Sequence, residues 1–268
     1  MPTLDGKVAI ITGGARGQGA AEARLFVKSG AAVAICDVLE KEGVELAQEL
    51  ESAGHACRFL PLDVSSPEGW AGVVSRVTEW RGRLDILVNN AGIINRTGIA
   101  ATDPAAWSRL LAINLTGAFL GIQAAAPAMK ASGGGAIVNI SSNSAFSGHY
   151  DPAYTASKWG LRGLTRTAAM EFVSDNIRVN TVCPGLVVTG LNAGAPHLEP
   201  MIRITPMRRA GTPEEIAELV LFLASDAASF ITGEDFLIDG GFISGAAYRR
   251  VAVETGLLPE VTPEGSFS

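Results

Sequence analysis

The sequence predicts a single-domain, doubly wound α/β fold of Rossmann type, with a seven-stranded parallel sheet covered by helices on both faces. Three observations predict it. Short, near-continuous apolar runs alternate with helix-length segments almost to the C-terminus. A glycine-rich loop follows the first of these runs directly. No linker-like stretch, internal repeat or low-complexity segment interrupts the 268 residues, a length that one large domain can organise.

The first run, residues 7–12 (KVAIIT), is β-branched, and an Ala-rich helix is expected from about Gly17 to Ser29. Residues 32–36 (AVAIC) follow the helix stop Ser29-Gly30. Helical periodicity over 40–53 ends at Gly54, and 57–61 make a third strand. Ser66-Pro67 then opens a helix with a cap and a proline at its first position. Residues 84–89 read as a strand, and Asp103-Pro104 opens a helix running towards Lys130. A fifth strand at 135–140 leads into a helix from about Asp151 to Ser174, then a sixth strand at 177–183. Thr212-Pro213-Glu214-Glu215 joins a proline start to a capping box, and 234–238 closes the sheet. Two segments fall outside the alternation. Residues 188–211 contain Pro196, Pro200 and Pro206 and are expected to form a lid; from Ser244 onward there is no clear periodicity. The expected organisation is a catalytic domain at 1–245 and a tail at 246–268, partly disordered or packed on a partner subunit.

A net charge of −6 and a pI near 5.2 exclude a broad nucleic-acid surface, which needs clustered Lys and Arg. Cys36, Cys57 and Cys183 sit in apolar contexts without metal-ligand or redox spacing and read as small buried hydrophobes, so no metal site is expected. The N-terminus lacks a signal-peptide pattern, and no apolar run approaches the ~20 residues of a membrane span. A cytoplasmic protein is expected.

Two patterns carry chemistry. In Tyr154-Thr155-Ala156-Ser157-Lys158 the tyrosine and lysine are one helical turn apart on one face. An ammonium beside a phenol favours the phenolate and is expected to lower the phenol's pKa into a useful range. Alone, this spacing is more often an ordinary surface pair. The glycine loop Gly13-Gly14-Ala15-Arg16-Gly17-Gln18-Gly19 permits a tight turn and a pyrophosphate at a helix N-terminus. Asp37, at the end of the second strand and 18 residues beyond Gly19, fits the acidic group expected on a ribose hydroxyl.

The spacing TGxxxGxG, followed by Asn89-Asn90-Ala91-Gly92, Asn114, Ser142, Tyr154-x-x-x-Lys158 and Pro184-Gly185, resembles the short-chain dehydrogenase/reductases over residues 5–242. Within them it looks most like the bacterial NAD-dependent hydroxysteroid and secondary-alcohol dehydrogenases. The resemblance implies a catalytic set of Asn114, Ser142, Tyr154 and Lys158. Tyr154 would be the general acid/base, Lys158 would hold the nicotinamide ribose, and Asn114 would hold a water leading to solvent. Ser142 would polarise the carbonyl, with Ser141 the competitor for that role. It also implies cofactor contacts from Gly13, Arg16, Gly17, Gln18 and Gly19, from Asp63 and Val64, and from Asn90, Ala91 and Gly92. Pro184, Gly185, Val187 and Thr189 would grip the nicotinamide carboxamide. For Asp63, a helix-preceding cap near Ser65 is an equal alternative.

Asp37 opposes a 2′-phosphate while Arg16 favours one; the carboxylate acts directly at that position, so NAD is expected. The substrate wall is expected from Ser144, Phe146, His149, Tyr150, Leu186, Leu191 and Met201, a largely apolar set without an evident carboxylate clamp. It suits a neutral secondary alcohol or ketone. The alternative is a 3-oxoacyl-carrier-protein reductase using NADPH, and a more remote one is a non-catalytic dinucleotide-binding protein. The resemblance further implies a homotetramer. The Ala-rich faces Ala124–Ala126 and Ala168-Ala169 are candidates for subunit contact, or equally for internal packing.

Overall fold

The computed structural model describes residues 3–190 and 192–261. Seven strands form one parallel sheet in the order β3-β2-β1-β4-β5-β6-β7. They are β1 Val8–Thr12, β2 Ala32–Asp37, β3 Cys57–Pro61, β4 Ile86–Asn89, β5 Gly135–Ile140, β6 Ile177–Pro184 and β7 Asp235–Ile238. The helices are α1 Gly17–Lys28, α2 Glu40–Ser52, α3 Pro67–Arg81, α4 Pro104–Leu111, α5 Gly117–Ala131, α6 Pro152–Phe172, α7 Leu198–Ile204, α8 Pro213–Ala224 and α9 Phe242–Glu254.

Alternate strand residues feed opposite cores, as a pleat requires. Ala9 and Ile11 of β1 and Val33 and Ile35 of β2 join Phe26 of α1, Leu46 and Leu50 of α2 and Ile216 and Val220 of α8. Val8, Ile10, Ala32 and Ala34 face the other way, onto Trp70, Val73 and Val77 of α3 and Ile122 and Met129 of α5. Burial on both faces is why these strands are continuous apolar runs rather than alternating ones. Ala125, Ala126, Ala168 and Ala169 lie in the second core, so these small faces serve internal packing instead of a subunit contact.

The helix opened by Asp103 runs from Pro104 to Ala131, with a π-helical turn at Ala112–Thr116 between α4 and α5. It is 28 residues long with a window of mean hydropathy 1.4, long and apolar enough to cross a membrane by length and composition, contrary to the expectation of no such segment. Its apolarity is explained by position: Leu110, Ala118, Ile122, Ala125, Ala126 and Met129 are buried in the protein.

Two other segments differ from expectation. The tail contains α9, whose weak amphipathicity hid it, because most of its residues stay partly exposed. Within 188–211 lies the short helix α7, and an Arg208–Glu260 ion pair ties that segment to the end of the described chain.

Strand order reverses at β1, with β2 on one side and β4 on the other. The crevice at the carboxyl ends of those strands is where open α/β sheets bind ligands. The expected site residues from the β1, β2, β4 and β5 loops all fall along this edge.

Candidate active site

The glycine loop leaves β1 and turns into α1. Gly13 and Gly17 have φ of 62° and 58°, conformations that disfavour a side chain. A Cβ on Gly19 would lie 2.3 Å from Gly13 O and 2.6 Å from Asn90 Nδ2, so closeness of loop to helix demands glycine there. Thr12 fastens the loop to β4: its hydroxyl accepts the N–H groups of Asn90 (3.0 Å) and Ala91 (3.1 Å) and donates to Val88 O (3.2 Å). Asn90 Nδ2 donates in turn to the carbonyls of Thr12 (2.9 Å) and Gly13 (3.1 Å).

The loop fits a dinucleotide. Four helices open with a capping side chain, from Ser66, Asp103, Asp151 and Thr212. α1 opens at Arg16 with none and has no acidic residue in its first turn, which leaves N–H groups for a phosphate. Facing Gly17, Thr189 stands where a Cβ would come within 3.6 Å of its methyl group, so the loop and the segment after β6 meet across the crevice. Asp37 ends β2, where Oδ2 accepts from Ala15 N at 3.1 Å and Oδ1 from Leu39 N at 3.1 Å. Asp63 Oδ1 accepts both N–H and O–H of Ser65 (2.9 and 2.7 Å), the local cap that had been the alternative reading. The neighbouring Val64 packs on Gly117, and its carbonyl takes Trp70 Nε1–H at 2.9 Å.

On the other side of the crevice, α6 presents Tyr154 and Lys158. Asp151 caps this helix through Oδ1, which accepts Tyr154 N–H at 3.0 Å. Lys158 is 4% exposed, and its Nζ donates to Ile140 O at the end of β5 (2.7 Å). Burial holds the Lys158 pKa down at about 8. Ser141 donates to Lys158 O at 2.9 Å and faces the helix backbone, whereas Ser142 Oγ accepts Ser144 N–H at 3.1 Å and its hydroxyl favours the ionised Tyr154 phenol. Of the two adjacent serines, Ser141 is the one whose hydroxyl is turned onto the backbone of α6.

The pKa of Tyr154 moves opposite to expectation. Burial pushes it up, and the Ser142 hydroxyl and the Arg96 charge only partly oppose that. Lys158 Nζ lies 5.6 Å from the ring centre and is spent on a backbone carbonyl, so spacing alone overstated its influence.

Asn114 sits in the π-turn, 2% exposed. Its Oδ1 accepts Ile93 N–H (2.8 Å) and its Nδ2 donates to Ile93 O (2.9 Å), so it bonds across the crevice and not to its own helix. An inserted π-turn is a common device at functional sites, where it rotates one side chain out of helical register. A Cβ on Gly92 would lie 3.5 Å from Asn114 Oδ1 and 3.6 Å from Lys158 Nζ, which brings these three together.

Pro184 ends β6, and a Cβ on Gly185 would strike Asp239 at 2.7 Å. Val187 is buried and Thr189 N–H bonds Asn192 Oδ1 at 2.8 Å. Of the expected substrate wall, His149 is half-buried with its ring 5.7 Å from that of Tyr154, and Tyr150 stacks on it at 4.1 Å. Phe146 follows the turn after β5, and its ring packs against the guanidinium of Arg162 of α6 at 3.8 Å. Ser144 is buried, donates its N–H to Ser142 Oγ (3.1 Å), and has a hydroxyl without a hydrogen-bond partner. Leu186 lines a separate cavity of about 230 Å³ with Met207 and Ile216, and Met201 is partly buried on α7. Leu191 lies outside the described residues. No cluster of metal-ligating side chains occurs among the described residues.

Sequence reading missed Asp151, Thr12 and Arg96. The Asp-Pro pair opening α6 was a usable signal for Asp151, since it repeats that at Asp103-Pro104. Nothing in one sequence joins Arg96 to Tyr154.

A dinucleotide loop at the β1 turn and a Ser-Tyr-Lys-Asn constellation at one sheet edge define an oxidoreductase of a known kind, and the chain belongs to the short-chain dehydrogenase/reductase family. Residues 13–243 match the family described as Enoyl-(Acyl carrier protein) reductase. A trans-4-hydroxycyclohexanecarboxylate dehydrogenase of Sinomonas cyclohexanicum is 45% identical over 92% of this chain and 96% of its own. A 3-alpha-(or 20-beta)-hydroxysteroid dehydrogenase of Mycobacterium bovis is 43% identical over 96% and 97%. The crystal structure of a gluconate 5-dehydrogenase from Burkholderia cenocepacia, in complex with NADP and tartrate, has a TM-score of 0.86 and 34% identity, covering 91% of this chain and 97% of the other.

Proposed function

We propose that the protein is an NAD-dependent dehydrogenase of alicyclic secondary alcohols, interconverting a ring carbinol and its ketone. The observation that carries this reading is the convergence of Ser142, Tyr154, Lys158 and Asn114 beside the glycine loop. When bound, the nicotinamide dinucleotide supplies the hydride acceptor or donor. In oxidation the carbinol carbon gives up a hydride, and its hydroxyl proton passes to Tyr154. Ser142 donates a hydrogen bond to the same substrate oxygen, where charge develops. Lys158 holds the ribose, its ammonium anchored on Ile140 O at the end of β5. Asn114 pins Ile93 and, with a water, links Lys158 to solvent. The glycine loop takes the pyrophosphate, and Asn90, Ala91, Asp63 and Val64 line the adenosine side. Val187 and Thr189 orient the carboxamide.

Asp37 supports NAD over NADP, because a 2′-phosphate would meet a like charge at the end of β2. The ring-alcohol substrate is supported by the two relatives at 43–45% identity, one named for a hydroxycyclohexanecarboxylate and the other for a 3-alpha-hydroxysteroid as well as a 20-beta one. Residues 1–245 act as the catalytic domain with 188–211 as its lid, the tail packs at a subunit interface, and the assembly is a cytoplasmic homotetramer. The test is reduction of NAD⁺, and in parallel of NADP⁺, across cyclic alcohols, hydroxysteroids, sugars and acyclic secondary alcohols. Turnover confined to NADPH and 3-oxoacyl thioesters would establish the carrier-protein reductase reading, for which Arg16 speaks, in place of this one.

A further inference from the structure

Arg96 occupies an unusual position beside the site. Its φ of 59° is in the left-handed region, where a non-glycine residue is strained and strain tends to collect at functional sites. Asp151, fully buried, holds it there. Oδ2 of that carboxylate accepts the N–H groups of Asn95 (2.7 Å) and Arg96 (2.9 Å), while Oδ1 accepts the N–H of Tyr154 (3.0 Å). One side chain therefore ties the backbone of Arg96 to that of Tyr154.

Both oxygens of Asp151 are committed to backbone, and no ion pair joins it to Arg96. The Arg96 guanidinium is exposed and, among the described residues, enters no hydrogen bond or ion pair. Its charge nevertheless reaches the reacting region. It opposes the burial that raises the Tyr154 pKa, and it adds with His197 to the burial that lowers that of His149. His149 Nδ1 accepts Asp151 N–H at 3.1 Å, which leaves Nε2 as the ring nitrogen available to a ligand. Arg96, tied to Tyr154 through Asp151, and His149, whose ring lies 5.7 Å from that of Tyr154, thus stand beside the catalytic tyrosine, and the Asp151 carboxylate between them is already used.

We infer that Arg96, with His149, anchors a carboxylate on the substrate, making the preferred substrate a ring alcohol that carries an acid group away from its carbinol. An arginine fork matches a carboxylate in two parallel hydrogen bonds and so fixes both distance and orientation. This replaces the neutral substrate expected from the apolar wall, and it rests on the reading of the site as an alicyclic alcohol dehydrogenase.

The experiment uses the whole chain with NAD⁺, and compares trans-4-hydroxycyclohexanecarboxylate with cyclohexanol. Cyclohexanecarboxylate, which has no carbinol, serves as an inhibitor of cyclohexanol oxidation. The acid is expected to be preferred by about 10- to 100-fold in kcat/KM, mostly through KM, the range for hydrogen bonds to a charged group. Arg96→Asn, which suits left-handed backbone, should erase most of that preference and the inhibition, while Arg96→Lys should restore part of both. Each variant is read on the alkaline plateau of its own pH profile, so that a shift in Tyr154 titration is not taken for lost binding. Cyclohexanol oxidised as well as the acid, or inhibition surviving in Arg96→Asn, would overturn the inference and leave the proposed function standing. Dinucleotide binding without oxidation of either ring alcohol would sink the proposed function and the inference with it.

Discussion

Glu22 lies fully buried on α1, and neither carboxylate oxygen has a hydrogen-bond partner. Burial raises its pKa from 4.5 to about 8, so the folded protein holds a proton there that the unfolded chain releases at neutral pH. One turn earlier, Gln18 Oε1 is also buried without a hydrogen-bond partner. A raised acid pKa makes stability greatest below about pH 4.5 and erodes it as pH climbs to 8. At about 1.4 kcal/mol per unit, the loss is about 3 kcal/mol by pH 7 and about 5 kcal/mol above pH 8. Glu22→Gln removes the titration and leaves only a pH-independent offset from its buried amide. Urea unfolding of both proteins at one concentration, from pH 5 to 9, measures the difference. The variant should gain on the parent by about 1.4 kcal/mol per pH unit and level off near pH 8. A difference that stays flat across this range would refute the reasoning, and would mean that Glu22 is ionised with a partner in the folded protein.

Three further outcomes follow from the site. Asp37→Ser should reduce the preference for NAD⁺ over NADP⁺ roughly a hundredfold in kcat/KM, and an unchanged ratio would remove Asp37 from the selectivity account. Gly19→Ala places a methyl group against Gly13 O and Asn90 Nδ2, so NADH affinity in a fluorescence titration should fall at least about tenfold, with stability lower by about 1–3 kcal/mol. Alcohol oxidation should rise with pH into the alkaline range while ketone reduction falls. Oxidation needs the Tyr154 phenol ionised, and burial pushes that pKa up.

The strands were readable because a sheet buried on both faces leaves a continuous apolar imprint, and the helix starts because Ser66, Asp103 and Thr212 act through local bonds. The tyrosine, lysine, asparagine and glycine loop were legible through motif order. What escaped was decided at long range. The sequence alone left Ser141 and Ser142 both open, and only the backbone carbonyl of Lys158, 17 residues away, draws Ser141 aside. Asp151 joins the loop at 95–96 to α6 across 55 and 56 residues, and the Arg96 placement depends on it. The pKa of Tyr154 was misjudged because helical spacing gives proximity to Lys158 but says nothing of burial or of Ile140 O.

The account turns on Tyr154 as the group that moves the substrate proton, and Tyr154→Phe tests it most directly. The variant keeps the ring and the helix and loses one hydroxyl. Steady-state turnover of an alicyclic alcohol with NAD⁺, measured beside NADH binding to the same preparation, should show kcat lower by at least about a thousandfold with dinucleotide affinity nearly unchanged. Turnover within a few-fold of the parent would contradict the account and pass the proton transfer to another group.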